Sequence, residues 1–136
     1  MKRWIISGGR HFCDGALFYK VVAKMMENLL EEGETIEIYQ GGATGADLMA
    51  RNFAASHRIK CTSFPALWDV YGKNALEKRD TKMMKNADFM LVFWNGNSKG
   101  TKHMIKEMNK LGKPYVICYY NKGYTPSEIL EYFNFK

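Results

Sequence analysis

The chain has 136 residues, which suits one domain with a single core, and its 46% hydrophobic and 25% charged residues are typical of a globular protein. No apolar run approaches a membrane span, and the run after the basic start is too short for a signal peptide, so we expect a cytoplasmic protein without a membrane partner. Twenty Lys and Arg against 14 Asp and Glu give a net charge of +6, which permits phosphate-bearing partners, although the lysines are scattered and form no dense basic run.

The predicted elements alternate between strand and helix along the chain. Short apolar or alternating runs predict strands at 3–7, 35–39, 59–64, 89–94 and 115–119. Amphipathic spacing predicts helices from a cap at Asp14 to about Glu32, across 46–54, at 74–86 and at 99–111. A capping box at 125–128, with Pro126 at the first helical position, predicts a short terminal helix.

This alternation predicts one α/β domain over residues 1–136, with a mainly parallel sheet of about five strands. Right-handed crossovers bring the C-terminal ends of parallel strands to one edge, where ligands bind in open sheets. We therefore expect the loops after the first four strands to converge.

Three of those four loops are rich in glycine. They read SGGR at 7–10, GGATGAD at 41–47 and NGNSKGTK at 95–102. Glycine permits positive φ and lets backbone N–H groups approach an anion, and a following helix start adds unpaired N–H donors. None of the loops matches GxGxxG or GxxxxGK[ST]. The prediction is therefore a general site for a phosphate or carboxylate ligand.

The candidate ligand-binding residues come from these loops and from the longer loop at 64–73. Glycine backbone, hydroxyls and cations suit an anion, and aromatic side chains suit stacking on a base. The set is Gly8, Gly9, Arg10, Gly41, Gly42, Thr44, Gly45, Asp47, Trp68, Tyr71, Lys73, Arg79, Gly96, Ser98, Gly100, Thr101 and Lys102. Stacking and ordinary packing both stay open for Trp68 and Tyr71, whereas Trp94, at a strand end, is expected to pack. Of the histidines, we expect only His103 near the site.

Asp47 has two interpretations. If Thr44 caps the following helix, Asp47 stands at its third position and the pair forms a capping box. Alternatively, Asp47 accepts hydrogen bonds from ribose hydroxyls. A carboxylate repels phosphate, so in that case it faces the sugar of a ligand.

The cysteines carry no expected chemistry. Cys13, Cys61 and Cys118 are far apart, and no Cys/His cluster has zinc spacing. We expect no disulfide, no metal and no required cofactor.

Four motifs carry a resemblance to a known family. They are SGGR at 7–10, GGATGAD at 41–47, FPALWDVYGKNA at 64–75 followed by Arg79 and Met83, and ADFMLVFWNGNSKGTKHMI at 87–105. In this order, over residues 1 to about 118, the chain resembles the SLOG superfamily, and most closely its small YspA/YpsA-related branch of bacterial and phage proteins. The resemblance implies a Rossmann-like three-layer fold that binds a nucleotide or nucleotide-derived ligand. Relatives often self-associate, so it also brings a homo-oligomer into consideration.

Two positions depart from the family pattern. LOG-type phosphoribohydrolases of the superfamily are similar at a motif PGGxGTxxE, but here Met104 stands where their catalytic glutamate is expected. A thioether cannot act as an acid or base, which puts that chemistry in doubt. The small branch also leads us to expect Arg-Asn near residue 79, whereas this chain has Arg79-Asp80.

Three functions are therefore considered. The favoured one is binding of a nucleotide-derived ligand for sensing or sequestering, because it explains the glycine loops and the missing glutamate. The second is hydrolysis of an N-glycosidic or phosphate bond, with Asp47 or Asp80 as the acid and Arg10, Arg79 or Lys102 stabilising phosphate. The third is single-stranded nucleic-acid binding, which would use the net charge of +6 and the aromatic side chains. The resemblance implies DprA, a single-strand binder, as a relative, but the scattered lysines make this function less favoured.

Overall fold

A computed structural model of the protein describes residues 1–120 and 130–135. Its strands are β1 (Lys2–Gly8), β2 (Ile36–Gln40), β3 (Lys60–Ser63), β4 (Phe89–Trp94), β5 (Tyr115–Tyr119) and β6 (Leu130–Phe133). Their spatial order is β3-β2-β1-β4-β5-β6, and every pair is parallel except β5 with β6. The predicted mainly parallel α/β sheet is confirmed, and the antiparallel β6 is an addition to it.

The helices follow the strands as predicted. They are α1 (Gly15–Glu31), α2 (Ala46–Ser56), α3 (Trp68–Tyr71), α4 (Ala75–Asn86) and α5 (Lys99–Lys110), with a 3₁₀ turn at Gly72–Asn74. Asp14 caps α1 by accepting a hydrogen bond from the Leu17 N–H at 3.0 Å. The short α3 was expected to be loop. The capping box at 125–128 lies outside the described residues, and the chain is a strand rather than a helix from Leu130.

The sheet separates two helical layers, as the Rossmann-like three-layer fold requires. Along β1, Trp4 and Ile6 pack with α1 and α2, whereas Ile5 packs with α4 and α5. β4 is apolar on both faces because it lies in the middle of the sheet, where each face meets a helical layer. Within the described residues, no helix combines the length and the apolar character that crossing a bilayer needs.

The direction in which successive strands are added to the sheet reverses between the parallel strands β1 and β4. The connections from β1 lead outward to β2 and β3, and those from β4 lead to β5 and β6. Gly8 allows the two central strands to lie close together at this point, since a Cβ there would stand 2.5 Å from the Phe93 carbonyl oxygen. Such a switch point opens a crevice at the C-terminal ends of the strands.

Candidate functional site

A cleft of about 940 Å³ lies at this edge of the sheet. Residues at or after the ends of each of the first five strands line this cleft. The predicted convergence of loops is therefore observed. Of the candidate residues, those that line it are Gly8, Gly9, Arg10, Gly41, Gly42, Thr44, Asp47, Trp68, Arg79, Asp80, Ser98, Gly100 and Thr101. Met104, at the position expected for a catalytic glutamate in LOG-type relatives, lines it too.

Some candidates do not line the cleft. They are Gly45, Tyr71, Lys73, Gly96 and Lys102. Tyr71 is 44% exposed and has the Lys78 ammonium 5.9 Å from its ring centre. The expectation for histidine was wrong: His11 lines the cleft, whereas His103 lies outside it and faces Glu77 at 3.9 Å.

The Asp47 carboxylate is buried and bonded to its own glycine loop. Ser7 Oγ donates to Asp47 Oδ1 at 3.1 Å, and the N–H groups of Gly41 and Ala43 donate to Oδ2 at 3.1 and 3.4 Å. Burial raises the pKa of Asp47, and these hydrogen bonds oppose that rise. Asp47 therefore holds the turn after β2 in shape and ties it to the end of β1.

The predicted capping box is wrong. The N-cap of α2 is Gly45, with φ of 73°, and no side chain caps this end. Thr44 Oγ1 instead donates to the Arg10 carbonyl oxygen at 3.1 Å. The positive φ of Gly45 turns the chain so that Asp47 reaches back to the turn rather than to Thr44, and Thr44 joins the loops after β1 and β2.

Gly45 also fits beneath the loop after β1. A Cβ at this residue would lie 2.7 Å from the Arg10 carbonyl oxygen and closer still to that of Gly9. Gly45 thus contributes to the site through packing, although it does not line the cleft. The N–H of Gly42 is bonded as well, donating to Gln40 Oε1 at 2.6 Å. The first three N–H groups of the turn after β2 are therefore used within the protein.

Arg79 of α4 joins two loops. Its Nη1 donates to the carbonyl oxygens of Gly41 and, at 3.4 Å, Phe64, and its Nε donates to Asp80 Oδ1 at 2.6 Å. The side chains of Arg79 and Asp80 are only 11% and 12% exposed. Burial raises the pKa of Asp80, and the adjacent Arg79 opposes that rise. Arg79 is therefore largely committed to holding the loops after β2 and β3.

The first turn of α5 presents backbone donors at the other side of the switch point. Asn95 Oδ1 accepts from the N–H groups of Asn97 and Ser98 at 2.8 and 2.9 Å, and Trp94 Nε1 donates to the Ser98 carbonyl at 3.0 Å. The prediction that Trp94 packs is confirmed, since it is half-buried against Tyr119. Among the described residues, the N–H groups of 99–101 have no acceptor, as is normal for a helix start.

Trp68, at the start of α3, lines the part of the cleft that follows β3. It is 54% exposed, and Leu67, Val70 and Tyr71 beside it are also largely exposed. An exposed indole at the rim of a polar cleft has the apolar face and the access that stacking on a planar ligand requires. Trp68 is thus a candidate platform, whereas Tyr71 is not in the cleft.

Some lining residues were not among the candidates. Tyr120, after β5, is buried against Phe12, and its hydroxyl occupies the space that a Cβ of Gly9 would need. No motif pointed to Tyr120, because only the loops after the first four strands were expected to converge. Ser63 and Asn95 could have been found, since each lies at the end of a predicted strand or directly after one.

The charges that line the cleft balance. Among the described residues, two arginines, Arg10 and Arg79, and two aspartates, Asp47 and Asp80, line the cleft, so their formal charges sum to zero when His11 is counted as neutral. Arg10 is exposed and forms no ion pair within the described residues, so it is the cation free to meet a ligand. In the part of the chain that the structure describes, no three His, Cys, Asp or Glu side chains come together as metal ligands.

Sequence comparisons agree with this architecture. The sequence model of the family described as YAcAr, the YspA, cpYpsA-related SLOG family, matches residues 3–71. These residues include the loops after β1, β2 and β3. The chain is also similar to the Gene 61 protein of Mycobacterium phage D29, with 30% identity over 122 residues, covering 85% of this chain and 95% of the phage protein. No solved structure matches it significantly. The family expected from the motifs is confirmed: this chain belongs to the YspA, cpYpsA-related SLOG family.

Proposed function

We propose that the protein binds a nucleotide or nucleotide-derived ligand in the cleft and serves to sense or sequester it. The observation that carries this proposal concerns the described residues: backbone N–H groups without an acceptor, an arginine without an ion pair and an exposed indole lie around one cleft at the switch point. Family membership supports a nucleotide-related ligand in general terms. The parts of the cleft suit the separate parts of a nucleotide.

The phosphate of such a ligand is best placed between the loop after β1 and the start of α5. The N–H groups of 99–101 are without acceptors among the described residues, and so are those of Arg10 and His11. Ser98 and Thr101 add hydroxyls, and the helix start adds a positive dipole. The turn at 41–43 is a poorer phosphate site, because its N–H groups already bond Asp47 and Gln40.

The base of the ligand is best placed on Trp68. Stacking of a base on an aromatic side chain contributes about 1–3 kcal/mol. Trp68 is open to solvent and lines the cleft, so such stacking requires no disruption of the core.

Hydrolysis is a weaker proposal for this site. Asp47 uses both carboxylate oxygens within the protein, and Met104 lines the cleft where the resemblance expects the glutamate of LOG-type enzymes. A thioether supplies neither a proton nor a base. Asp80 is the carboxylate that such a reaction would have to use.

Nucleic-acid binding is also a weaker proposal. A groove for a strand needs several cations along its length, but the charges of the described residues that line this cleft sum to zero, and Arg79 is paired with Asp80. A ligand with one or two phosphates at a single position suits this charge balance better.

Isothermal titration of the purified protein with nucleoside monophosphates, NAD, ADP-ribose and cyclic nucleotides tests the proposal. We expect binding of at least one of them, with the matching nucleoside and orthophosphate each binding more weakly, and with the ligand recovered unchanged by chromatography. Release of free base or phosphate would favour hydrolysis. Failure of every mononucleotide, together with salt-sensitive binding of an oligonucleotide, would favour the third function.

A further inference from the structure

The two aspartates of the cleft differ in how their oxygens are used. Both oxygens of Asp47 accept hydrogen bonds from the protein, and the residue is 3% exposed. Asp80 uses Oδ1 for the Arg79 Nε, while Oδ2 has no partner among the described residues. Both oxygens of Asp47 are therefore already bonded within the protein, whereas Asp80 has one oxygen without a partner among the described residues.

The Asp80 side chain reaches the cleft. Asp80 Oδ2 has no partner among residues 1–120 and 130–135, and the Asp80 side chain is 12% exposed. Since Asp80 lines the cleft, a ligand in the cleft can reach the exposed part of its side chain.

Arg79 fixes the position of this carboxylate. The 2.6 Å contact from Arg79 Nε to Oδ1 holds one oxygen, and the same guanidinium is anchored on the carbonyls of Gly41 and Phe64. The other titratable groups near Asp80 are Glu77 on α4 and His103 on α5. The free oxygen is thus a rigid acceptor near the α5 side of the cleft.

We propose that Asp80 accepts a hydrogen bond from a ribose hydroxyl of the ligand, so that the protein prefers ribonucleotides to deoxyribonucleotides. This inference rests on the proposed function and names the class of ligand. A carboxylate repels phosphate, and the ribose is the part of a nucleotide that lies next to the phosphate and carries neutral donors. With the phosphate at the first turn of α5, the sugar comes before the base on the way to Trp68.

The test compares a ribonucleoside monophosphate with its 2′-deoxy and 3′-deoxy forms by isothermal titration. A hydrogen bond to a charged acceptor predicts that the wild type loses about tenfold or more in affinity for at least one deoxy form. Asp80→Asn keeps an oxygen for Arg79 and replaces the free oxygen by a neutral amide, so this discrimination should shrink to about threefold or less. Asp69→Asn is the matched control: the same change outside the cleft should leave the discrimination unchanged.

Each result decides a different point. Equal affinity of the wild type for ribo and deoxy forms overturns this inference and leaves the proposed function standing. If Asp80→Asn still discriminates between the ribo and deoxy forms, the inference is also overturned. The same holds if Asp80→Asn changes the preference between an adenine and a hypoxanthine nucleotide but leaves the preference for the sugar unchanged. Absence of binding to every nucleotide contradicts both the inference and the proposed function.

Discussion

The substitution Gly100→Asp tests whether an anion binds at the start of α5. Gly100 is in the first turn of the helix and lines the cleft, and a Cβ there meets nothing within 4 Å. The new side chain therefore fits without a clash. Replacing a helical glycine gains about 0.5–1 kcal/mol, and an acid at a helix start gains about 0.3–1 kcal/mol. We expect the free energy of unfolding to stay the same or to rise by about 1 kcal/mol.

The effect on a bound phosphate has the opposite sign. A carboxylate about 5 Å from a phosphate, at an effective dielectric constant of about 20–40, opposes binding by about 2–3 kcal/mol. This corresponds to a loss of about 30- to 200-fold in affinity. Gly100→Asn has nearly the same shape without the charge, so its affinity should stay within a few-fold of the wild type.

Isothermal titration with the best-binding nucleoside monophosphate measures this difference, and urea unfolding checks that both variants are folded. The gap between the Asp and Asn variants should narrow at high salt because ions screen the repulsion. Equal affinities of the two variants at low salt would refute the placement of the phosphate at α5.

Three further predictions concern packing, stacking and pH. Gly45→Ala should lower the free energy of unfolding by more than about 2 kcal/mol, because the new methyl group clashes with the loop after β1 and alanine is also strained at a positive φ. The control Gly33→Ala has a φ of 78° but open space around the new methyl group, so it should lose only about 1 kcal/mol in urea unfolding. Equal losses in the two variants would contradict the close packing of Gly45 against the loop after β1. Trp68→Ala should leave the midpoint of urea unfolding nearly unchanged, since Trp68 is 54% exposed. It should weaken nucleotide binding by about 1–3 kcal/mol in isothermal titration. An unchanged affinity would show that Trp68 does not contact the ligand. Burial raises the pKa of Asp80 above its ordinary value of 3.8, so the folded state favours the protonated carboxyl group. The stability that Asp80 contributes is therefore present at a pH below its pKa in the unfolded chain, and it is lost as the pH rises through its pKa in the folded protein. The stability of Asp80→Asn relative to the wild type should therefore rise between pH 4 and pH 7 in urea unfolding, and a relative stability that falls would contradict the raised pKa.

The sequence predicted most of the fold because the pattern that identifies each element is local. The run at 89–94 is β4 to the residue, and the cap at Asp14 begins α1 as expected. The edge strand β6 was missed because the four residues of Leu130–Phe133 have no clear alternation. Its pairing with β5 supplies the hydrogen bonds that define it, and such a contact is not encoded in a short local pattern.

The position of the site was predicted, but the hydrogen bonds between its residues were not. Converging loops follow from topology, so the lining by Gly8, Trp68 and Gly100 could be expected. The role of Asp47 could not, because it depends on Ser7, 40 residues away, and on the positive φ of Gly45. A local pattern matched a capping box, and tertiary contacts determined the actual partners.

The most direct test of the account is a titration of ¹⁵N-labelled protein with the best-binding nucleotide, followed by the backbone amide signals. A phosphate between the loop after β1 and α5 predicts the largest shifts at Arg10, His11, Gly100 and Thr101, with smaller shifts at Gly42, whose N–H is already bonded. The amides of Leu30 and Phe53, which line a separate groove between α1 and α2, should not move. Shifts confined to that groove, or no shifts with any nucleotide, would contradict the account.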